Sequence, residues 1–337
     1  ADHKQPVSFI QVICNYYIPF LKVMFTAAEL GVFDLLLESG KLMPSTTIAE
    51  RLGTSFTGME RLLDTCVGLK LLRVERTGTL YGSTEFSNLY LAESSPKSQY
   101  HHMMFFSEIT FLNLNYLTDA VSPVGKIYGD SSSNLFDVIF RSEGEMKRFS
   151  HSMNSNWHLC GRDVMAAFNL SHFPLICDLG GSGCGLAKEC IALYPNSTVT
   201  IFDLPNVVEM AKKHFVSPEE HRITFHEGDF FKDPIPEADL YILARILHDW
   251  DDEKCVQLLT RLHKACKPGG GVLVVEVVLN EDRSGPLEAH LQSMLMLLLT
   301  EGKERTPSEY NALFSAAGFK EVQLKKCQLY DAILGRK

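Results

Sequence analysis

The chain has 337 residues, of which 45% are hydrophobic and 22% are charged, and its formal net charge is −9. This length is enough for two compact domains, and the composition is that of an ordinary globular protein. The negative charge argues against a nucleic-acid partner and against an anionic membrane surface, because either partner needs a positive face on the protein.

The nine cysteines are scattered from Cys14 to Cys327, with no CxxC pair and no clustered His and Cys pattern. This spacing favours free thiols in a reducing compartment, and no metal site is expected. The longest apolar run, residues 294–299, is far shorter than the roughly 20 residues that span a bilayer. The first residues lack the layout of a signal peptide, so a cytoplasmic location is expected.

Residues 1–95 are predicted to form a helical domain that ends in a hairpin. Apolar residues recur at helical spacing over 18–37, and shorter helices are expected over 45–52 and 55–69. A hairpin with its turn at Thr77–Gly78 follows, which completes the outline of a winged-helix module. The helix that would enter DNA carries two acids beside one arginine, so a dimerisation role is favoured over DNA binding.

Residues 96–170 are predicted to link two domains and to form a wall of a ligand pocket. An aromatic-rich stretch over 98–121 is typical of a core helix, and residues 122–134 are rich in Ser, Gly and Pro, as in a loop. A further helix is expected over 135–168.

Residues 171–337 are predicted to form an α/β domain, because strands there alternate with helices. This pattern predicts a mainly parallel, doubly wound sheet whose last two strands form an antiparallel hairpin at the C-terminal edge. The predicted strands are residues 175–179, 198–203, 223–226, 239–243, 272–277, 321–327 and 329–334.

A glycine-rich turn from Asp178 to Gly185 lies between the first of these strands and its helix. Ligands of doubly wound sheets bind at the carboxyl ends of the strands, and glycine lets the backbone approach them closely. The dinucleotide fingerprint G-x-G-x-x-G fails, because Leu186 occupies its sixth position. An acid followed by glycines suits a cofactor that has no pyrophosphate and carries a cationic amino-acid group.

Two more acids follow the next two strands. Asp203 comes about twenty residues after the glycines, where its carboxylate could accept hydrogen bonds from ribose hydroxyls or cap the following helix. Gly228, Asp229 and Phe230 follow the third strand, and an acid beside an aromatic ring suits an adenine base. Acids at three successive strand ends predict a nucleoside site.

His248 directly follows the fourth strand, with Asp249 beside it. The ordinary pKa of histidine, about 6.5, suits a general base at neutral pH. Methyl transfer to a phenol-like hydroxyl, whose pKa is about 10, is easier when the proton leaves as the new bond forms. Glu276 and Glu304 could orient the imidazole or stabilise its charged form, or each could belong to a structural salt bridge.

Five segments resemble those of a known family, namely DLGGSGCG, IFDLP, EGDFFKDPIPEADLYILARILHDWDDEKC, CKPGGGVLVVE and TEGKERT. Over essentially its whole length the chain resembles the small-molecule O-methyltransferases, which include plant phenolic and animal hydroxyindole enzymes. The resemblance implies a class I methyltransferase fold with a Rossmann-like sheet, an N-terminal dimerisation domain and a homodimer. It also implies S-adenosylmethionine as the cofactor and a small aromatic hydroxyl compound as the substrate, N-acetylserotonin or a related hydroxyindole or phenol.

Carried over position by position, the resemblance adds residue roles to those expected from the strand ends. The expected catalytic residues are His248 as general base, with Asp249, Glu304 and Glu276 around it. The expected cofactor contacts are Gly180, Asp203, Gly228, Asp229, Phe230 and Arg245, with Trp157 nearby. The expected substrate pocket is lined by Phe149, Met153, Leu295 and Leu299.

Two positions depart from the family pattern at the substrate pocket. Leu295 and Leu299 replace the Asn and Gln that would hold the amide and hydroxyl groups of N-acetylserotonin. Loss of polar partners discriminates strongly against a polar ligand, which favours a more apolar acceptor. The alternative to an active enzyme is a catalytically drifted, non-methylating dimeric homologue that binds a small ligand.

Two further departures lie in the glycine-rich turn, where Ser182 and Cys184 replace glycines of the family pattern. A side chain at position 184 would weaken cofactor binding if that position needs positive φ. The alternative is a shifted turn, in which Gly183 and Gly185 absorb the change.

Overall fold

The computed structural model describes residues 17–75, 79–122, 136 and 139–337, which fall into two compact units divided after Ile109. Each unit encloses hydrophobic core of its own. The turn predicted at 77–78 and nearly all of the loop predicted at 122–134 lie outside the described residues. The expected division at residues 95 and 170 stays a prediction.

The first unit packs helices against a small sheet. Its helices are α1 (Ile18–Glu29), α2 (Val32–Ser39), α3 (Ser45–Arg51), α4 (Phe56–Gly68) and α5 (Tyr100–Phe105). Its sheet has the antiparallel order β1-β3-β2, with β1 (Met43–Pro44), β2 (Leu72–Glu75) and β3 (Leu80–Ser83). The predicted hairpin is therefore confirmed as β2 and β3.

Three helices differ from their predicted extents. The helix expected over 18–37 breaks into α1 and α2 at Gly31, whose φ of +79° is a left-handed conformation that glycine adopts without steric cost. The helix expected over 98–121 is interrupted after α5 by a π-helical turn and a 3₁₀ turn. Its later segments are α6 (Phe111–Asn113) and α7 (Leu117–Val121). The helix expected over 135–168 is α8 (Glu143–Ala166), which begins late because Ser142 is extended and caps it by accepting a hydrogen bond from Glu145 N.

A seven-stranded sheet organises the second unit, in the order β6-β5-β4-β7-β8-β10-β9. Its strands are β4 (Leu175–Leu179), β5 (Thr198–Asp203), β6 (Ile223–Glu227), β7 (Ala238–Ala244), β8 (Cys266–Glu276), β9 (Lys320–Lys325) and β10 (Asp331–Arg336). Strands β4 to β8 are parallel, whereas β10 pairs antiparallel with both β8 and β9. The predicted doubly wound sheet with an antiparallel C-terminal edge is confirmed.

Alternate residues of the central strands enter two separate cores, as the strand period of two requires. Ile176 and Ile242 lie in one core, and Cys177 and Leu243 lie in the other. Helices therefore cover both faces of the sheet. The remaining helices are α9 (Gly185–Leu193), α10 (Pro205–His214), α11 (Asp252–Ala265), α12 (Leu287–Leu299) and α13 (Pro307–Ala316).

Within the described ranges, none of the helices has both the length and the apolar character to cross a bilayer. The eight cysteines of those ranges are free, and only Cys327 among them is not buried. This agrees with the expectation of free thiols.

Gly335 of β10 offers a test of how tightly the sheet packs on α13. A Cβ placed there would lie 2.5 Å from Cε1 of the buried Phe314. We expect Gly335→Ala to lower the free energy of unfolding by about 1–3 kcal/mol through overpacking. Urea denaturation measures the change. Gly144→Ala in α8 is the control, because its Cβ would meet only Ser142 Oγ at 3.8 Å. Equal stability of the two variants would contradict the packing described.

Candidate active site

Strands β4 to β8 end side by side, and most of the predicted functional residues follow those ends. Gly180, Asp203, Gly228, Arg245 and Glu276 lie at or within two residues of the carboxyl end of one strand each. Adjacent parallel strands place such residues along one edge of the sheet, where doubly wound folds bind their ligands. The structure thus brings these predicted residues to a common edge.

The turn after β4 contains three left-handed residues, two of which are not glycine. The φ angle is +68° at Gly180, +37° at Ser182 and +61° at Cys184. The shifted turn is therefore wrong: Gly183 and Gly185 do not take positive φ, and Cys184 adopts the left-handed conformation itself. That conformation costs a residue with a side chain roughly 1–2 kcal/mol, so the surroundings must stabilise the turn.

Asp203 contacts this turn from the neighbouring strand. Its Oδ2 accepts a hydrogen bond from Ser182 N at 3.1 Å, and its Oδ1 accepts one from Leu204 N at 2.8 Å. Burial raises the pKa of Asp203 to about 6, against the effect of both hydrogen bonds. The capping alternative is wrong, because the N-cap of α10 is Leu204. The ribose role of Asp203 stays a prediction.

Asp178 lies beneath the same turn, with only 2% of its surface exposed. Burial, and then the charge of Asp203, raise the pKa of Asp178 to about 8. A Cβ placed on Gly181 would lie 2.7 Å from Asp178 Oδ2, so this position accommodates only glycine without a shift. A buried carboxyl of this kind is stabilised in its charged form by a cationic group, so the site suits a cationic ligand.

The Gly228–Phe230 segment adjoins the turn from β6. Gly228 N donates to Asp203 O at 2.9 Å, and the Phe230 ring comes within 4.0 Å of a Cβ placed on Gly180. The Asp229 carboxylate accepts from Phe231 N at 2.9 Å and pairs with Lys232 at 2.9 Å. Although partial burial opposes ionisation, Lys232 lowers the pKa of Asp229. Contact of this segment with adenine stays a prediction.

Trp157 packs at the last residue of the turn, Gly185. Its Cδ1 is 3.1 Å from a Cβ placed on Gly185, and its ring centroid is 5.4 Å from that of Tyr330. The guanidinium carbon of Arg245 lies 5.2 Å from the same Tyr330 ring, within cation–π range. Tyr330 was not predicted from the sequence. It connects the glycine-rich turn with the residues around His248.

His248 is buried in a 3₁₀ turn that follows β7. Its Nδ1 is 3.1 Å from Glu304 Oε1, and its Nε2 is 3.5 Å from Asp249 Oδ1. Its backbone N donates to Glu276 Oε1 at 3.3 Å. All three acids predicted to assist His248 therefore surround it.

Arg245 pairs with two of those acids. Its guanidinium lies 2.9 Å from Glu276 Oε2 and 2.9 Å from Glu304 Oε1, and each of the three side chains is at most 6% exposed. The two alternatives for the glutamates are thus compatible, since each joins a buried salt bridge and also contacts His248. The expected contact of Arg245 with the cofactor stays a prediction.

The charged groups of this cluster shift one another's pKa values in opposite directions. Burial and Arg245 lower the pKa of His248, but Asp249, Glu276 and Glu304 outweigh them and raise it above its ordinary value. Although burial opposes ionisation, Arg245 and His248 hold the pKa of Glu304 at about 2. Burial raises the pKa of Asp249 to about 6. The imidazole therefore binds a proton more readily than a free histidine does.

His248, Glu276 and Glu304 place one ligand atom each within 4.8 Å of one another, close enough to hold a cation. Both carboxylates already pair with the Arg245 guanidinium, which supplies the positive charge at this point. The geometry therefore favours an ion-pair cluster, and the expectation of no metal stays a prediction.

The loop that carries His248 is held by Arg305, a buried residue that was not predicted. Arg305 donates to Leu247 O and to Trp250 O, each at 2.8 Å. A Cβ placed on Gly302 would lie 2.6 Å from Trp250 N, so the 300–306 segment packs directly on this loop. The TEGKERT motif thus supplies Glu304 to the imidazole and Arg305 to its loop.

The predicted pocket residues lie on α8 and α12. Phe149 and Met153 are half-buried on α8, whereas Leu295 is half-buried and Leu299 is buried on α12. Helix α12 reaches the cluster through Gln292, whose Oε1 lies 3.4 Å from an Arg245 nitrogen. Contact of the four residues with an acceptor stays a prediction.

Two domain families match the chain. An O-methyltransferase domain matches residues 114–320, and an O-methyltransferase dimerisation domain matches residues 11–93. The chain is 60% identical to the acetylserotonin O-methyltransferase of Gallus gallus over 100% of both proteins. It is 50% identical to that of Homo sapiens over 94% of both proteins.

A solved structure of human N-acetylserotonin methyltransferase in complex with SAM also matches, with a TM-score of 0.95 and 47% identity. The match covers 100% of this chain and 99% of that one. The class I methyltransferase fold expected from the motifs is thereby confirmed. By its domains, its relatives and its fold, the chain belongs to the O-methyltransferase family.

Proposed function

We propose that this chain transfers the methyl group of S-adenosylmethionine to the hydroxyl oxygen of N-acetylserotonin or a related hydroxyindole, with His248 as general base. Family membership and the full-length likeness to acetylserotonin O-methyltransferases support the reaction and both substrates. The observation that carries the role of His248 is its buried contact with Glu304, at the sheet edge that also carries the glycine-rich turn.

The residues around the turn fit S-adenosylmethionine. Its sulfonium centre supplies an activated methyl group when bound. The backbone at Gly180 and Gly181 packs directly against Ile246 and Asp178, which a Cβ at either position would meet, so this packing fixes the turn beside Asp178. The buried carboxyl of Asp178 suits the positive charge of the cofactor. Asp203 would hold the ribose, and Phe230 would cover the adenine.

His248 would accept the proton of the acceptor hydroxyl at Nε2. Glu304 Oε1 lies 3.1 Å from Nδ1, so in this arrangement Nδ1–H donates a hydrogen bond to the carboxylate and Nε2 keeps the lone pair. Once His248 is protonated, Glu304 and Asp249 stabilise the imidazolium. Arg245 keeps Glu304 ionised for this purpose.

The alternative of a drifted homologue depended on Cys184, Leu295 and Leu299. Cys184 occupies the left-handed conformation that glycine would take, and the charged cluster around His248 is complete. These features support an active enzyme.

We also propose a homodimer in the cytoplasm. The dimerisation domain at residues 11–93 supports the homodimer, and the free cysteines of the described ranges support a reducing compartment. Sedimentation velocity measures the mass in solution.

His248→Asn is expected to lower kcat by about 10²–10⁴-fold, because general-base catalysis is lost. The dissociation constant of S-adenosylmethionine, measured by calorimetry, should stay within a factor of about three, since the loss is confined to proton removal. His263→Asn is the matched control, since this ring packs on Phe319 away from the cluster. Full activity of His248→Asn would contradict the proposal that His248 is the general base. If the unmodified chain does not bind S-adenosylmethionine, the proposed cofactor is wrong.

The pH dependence of kcat/KM tests the electrostatics of the cluster. Only the neutral imidazole accepts a proton, so the rate should rise with pH through an inflection above the ordinary value of about 6.5. Glu304→Gln removes a negative charge that raises the pKa, so the inflection should move to lower pH. Glu301→Gln, which removes an exposed partner of Lys254, should leave it in place. An unchanged inflection in Glu304→Gln would contradict the cluster.

Leu295→Asn combined with Leu299→Gln tests the acceptor. If loss of these polar groups limits the use of N-acetylserotonin, restoring them should raise kcat/KM for it about 10-fold or more. Leu297→Asn, an exposed position on the same helix, is the control. A screen of hydroxyindoles and phenols with both variants measures the preference, and no gain for N-acetylserotonin would refute the effect of the two leucines.

A further inference from the structure

One side chain of α8 spans the glycine-rich turn. Asn154 Nδ2 donates to Gly183 O at 2.9 Å, and Asn154 Oδ1 accepts a hydrogen bond from Gly185 N at 3.1 Å. Asn154 is only 8% exposed, so both bonds are shielded from water. A single amide group thus binds the residues on either side of Cys184.

The neighbours of Asn154 on the same helix face contact the turn as well. Ser150, one helical turn earlier, shares a hydrogen bond of 2.5 Å with the Ser182 hydroxyl. Trp157, one turn later, packs at Gly185. This face of α8 therefore contacts the turn from residue 182 to residue 185.

These contacts separate two reasons for glycine in the turn. Gly183 must lack a side chain because a Cβ there would lie 2.7 Å from Asn154 Nδ2, although its own φ is unremarkable. Ser182 and Cys184 take positive φ and carry side chains, so the conformational cost lies on them. Because residues 182 and 184 are not glycine, contacts with α8 rather than glycine flexibility stabilise the turn at these two positions.

We propose that Asn154 is a positioning residue of the methyl-donor site, whose amide holds Cys184 in its left-handed conformation. That conformation leads from Ser182, whose N–H binds Asp203, into the first turn of α9. Asn154 acts through the turn, without a step in the chemistry. The proposal rests on the proposed function, in which this turn holds S-adenosylmethionine.

Asn154→Ala is expected to raise the dissociation constant of S-adenosylmethionine about 10-fold, because without its two buried hydrogen bonds the turn occupies the binding conformation only part of the time, and to change kcat at saturation less than about twofold. In the free chain, the Gly185 amide should exchange its hydrogen faster. Ser197→Ala is the matched control, because it also removes a buried bond to a backbone carbonyl, that of Phe173 at 2.8 Å, but lies outside the turn. Ser197→Ala should alter neither measurement.

Cys184→Gly separates positioning from a general loss of stability. Glycine takes the left-handed conformation without steric cost, so Asn154→Ala should weaken binding less than about threefold in the Cys184→Gly background. A 10-fold loss in both backgrounds would overturn the proposal, as would unchanged binding and exchange in Asn154→Ala. If the unmodified chain does not bind S-adenosylmethionine, the proposed function fails, and exchange at Gly185 still decides whether Asn154 holds the turn.

Discussion

The site depends on the pairing of the Arg245 guanidinium with Glu276 and Glu304. Without Arg245, two buried ionised carboxylates would lose far more hydration free energy than their other contacts return. Removing one partner of these ion pairs would leave an uncompensated buried charge. Arg245 follows β7, Glu276 ends β8 and Glu304 follows α12. One set of ion pairs therefore joins three elements at a single point, and the imidazole of His248 takes its surroundings from them.

The same arginine couples the proposed base to the proposed methyl-donor site. Its guanidinium packs on Tyr330, Tyr330 packs on Trp157, and Trp157 packs at Gly185 of the turn. This continuous packing fixes the proposed base and the proposed methyl-donor site relative to each other. In-line methyl transfer needs such rigidity, because the reacting groups must be placed within fractions of an ångström. Tyr330 and Trp157 thus join the charged cluster around His248 to the left-handed turn at Cys184.

Much of this arrangement could be predicted from local pattern. Strand periodicity and strand-end position placed Asp203 and His248 correctly, because both signals depend on adjacent residues. Asn154 and Tyr330 could not be found in that way, since their partners lie 29 or more residues away in the sequence and only tertiary packing brings them together. The sequence left the conformation of Cys184 open between positive φ and a shifted turn for the same reason, because a helix outside the turn stabilises a conformation that local preference opposes.

Strand β10 has a consequence for the order in which the second unit is assembled. It lies between β8 and β9, which do not pair with each other. The backbone groups of β8 and β9 that face β10 therefore lack their hydrogen-bond partners until residues 331–336 emerge from the ribosome. Such late, non-local pairing leaves strand edges open during synthesis, when they are most prone to mispairing. The nascent chain therefore has to reach Tyr330 and β10 before Arg245 acquires its aromatic neighbour.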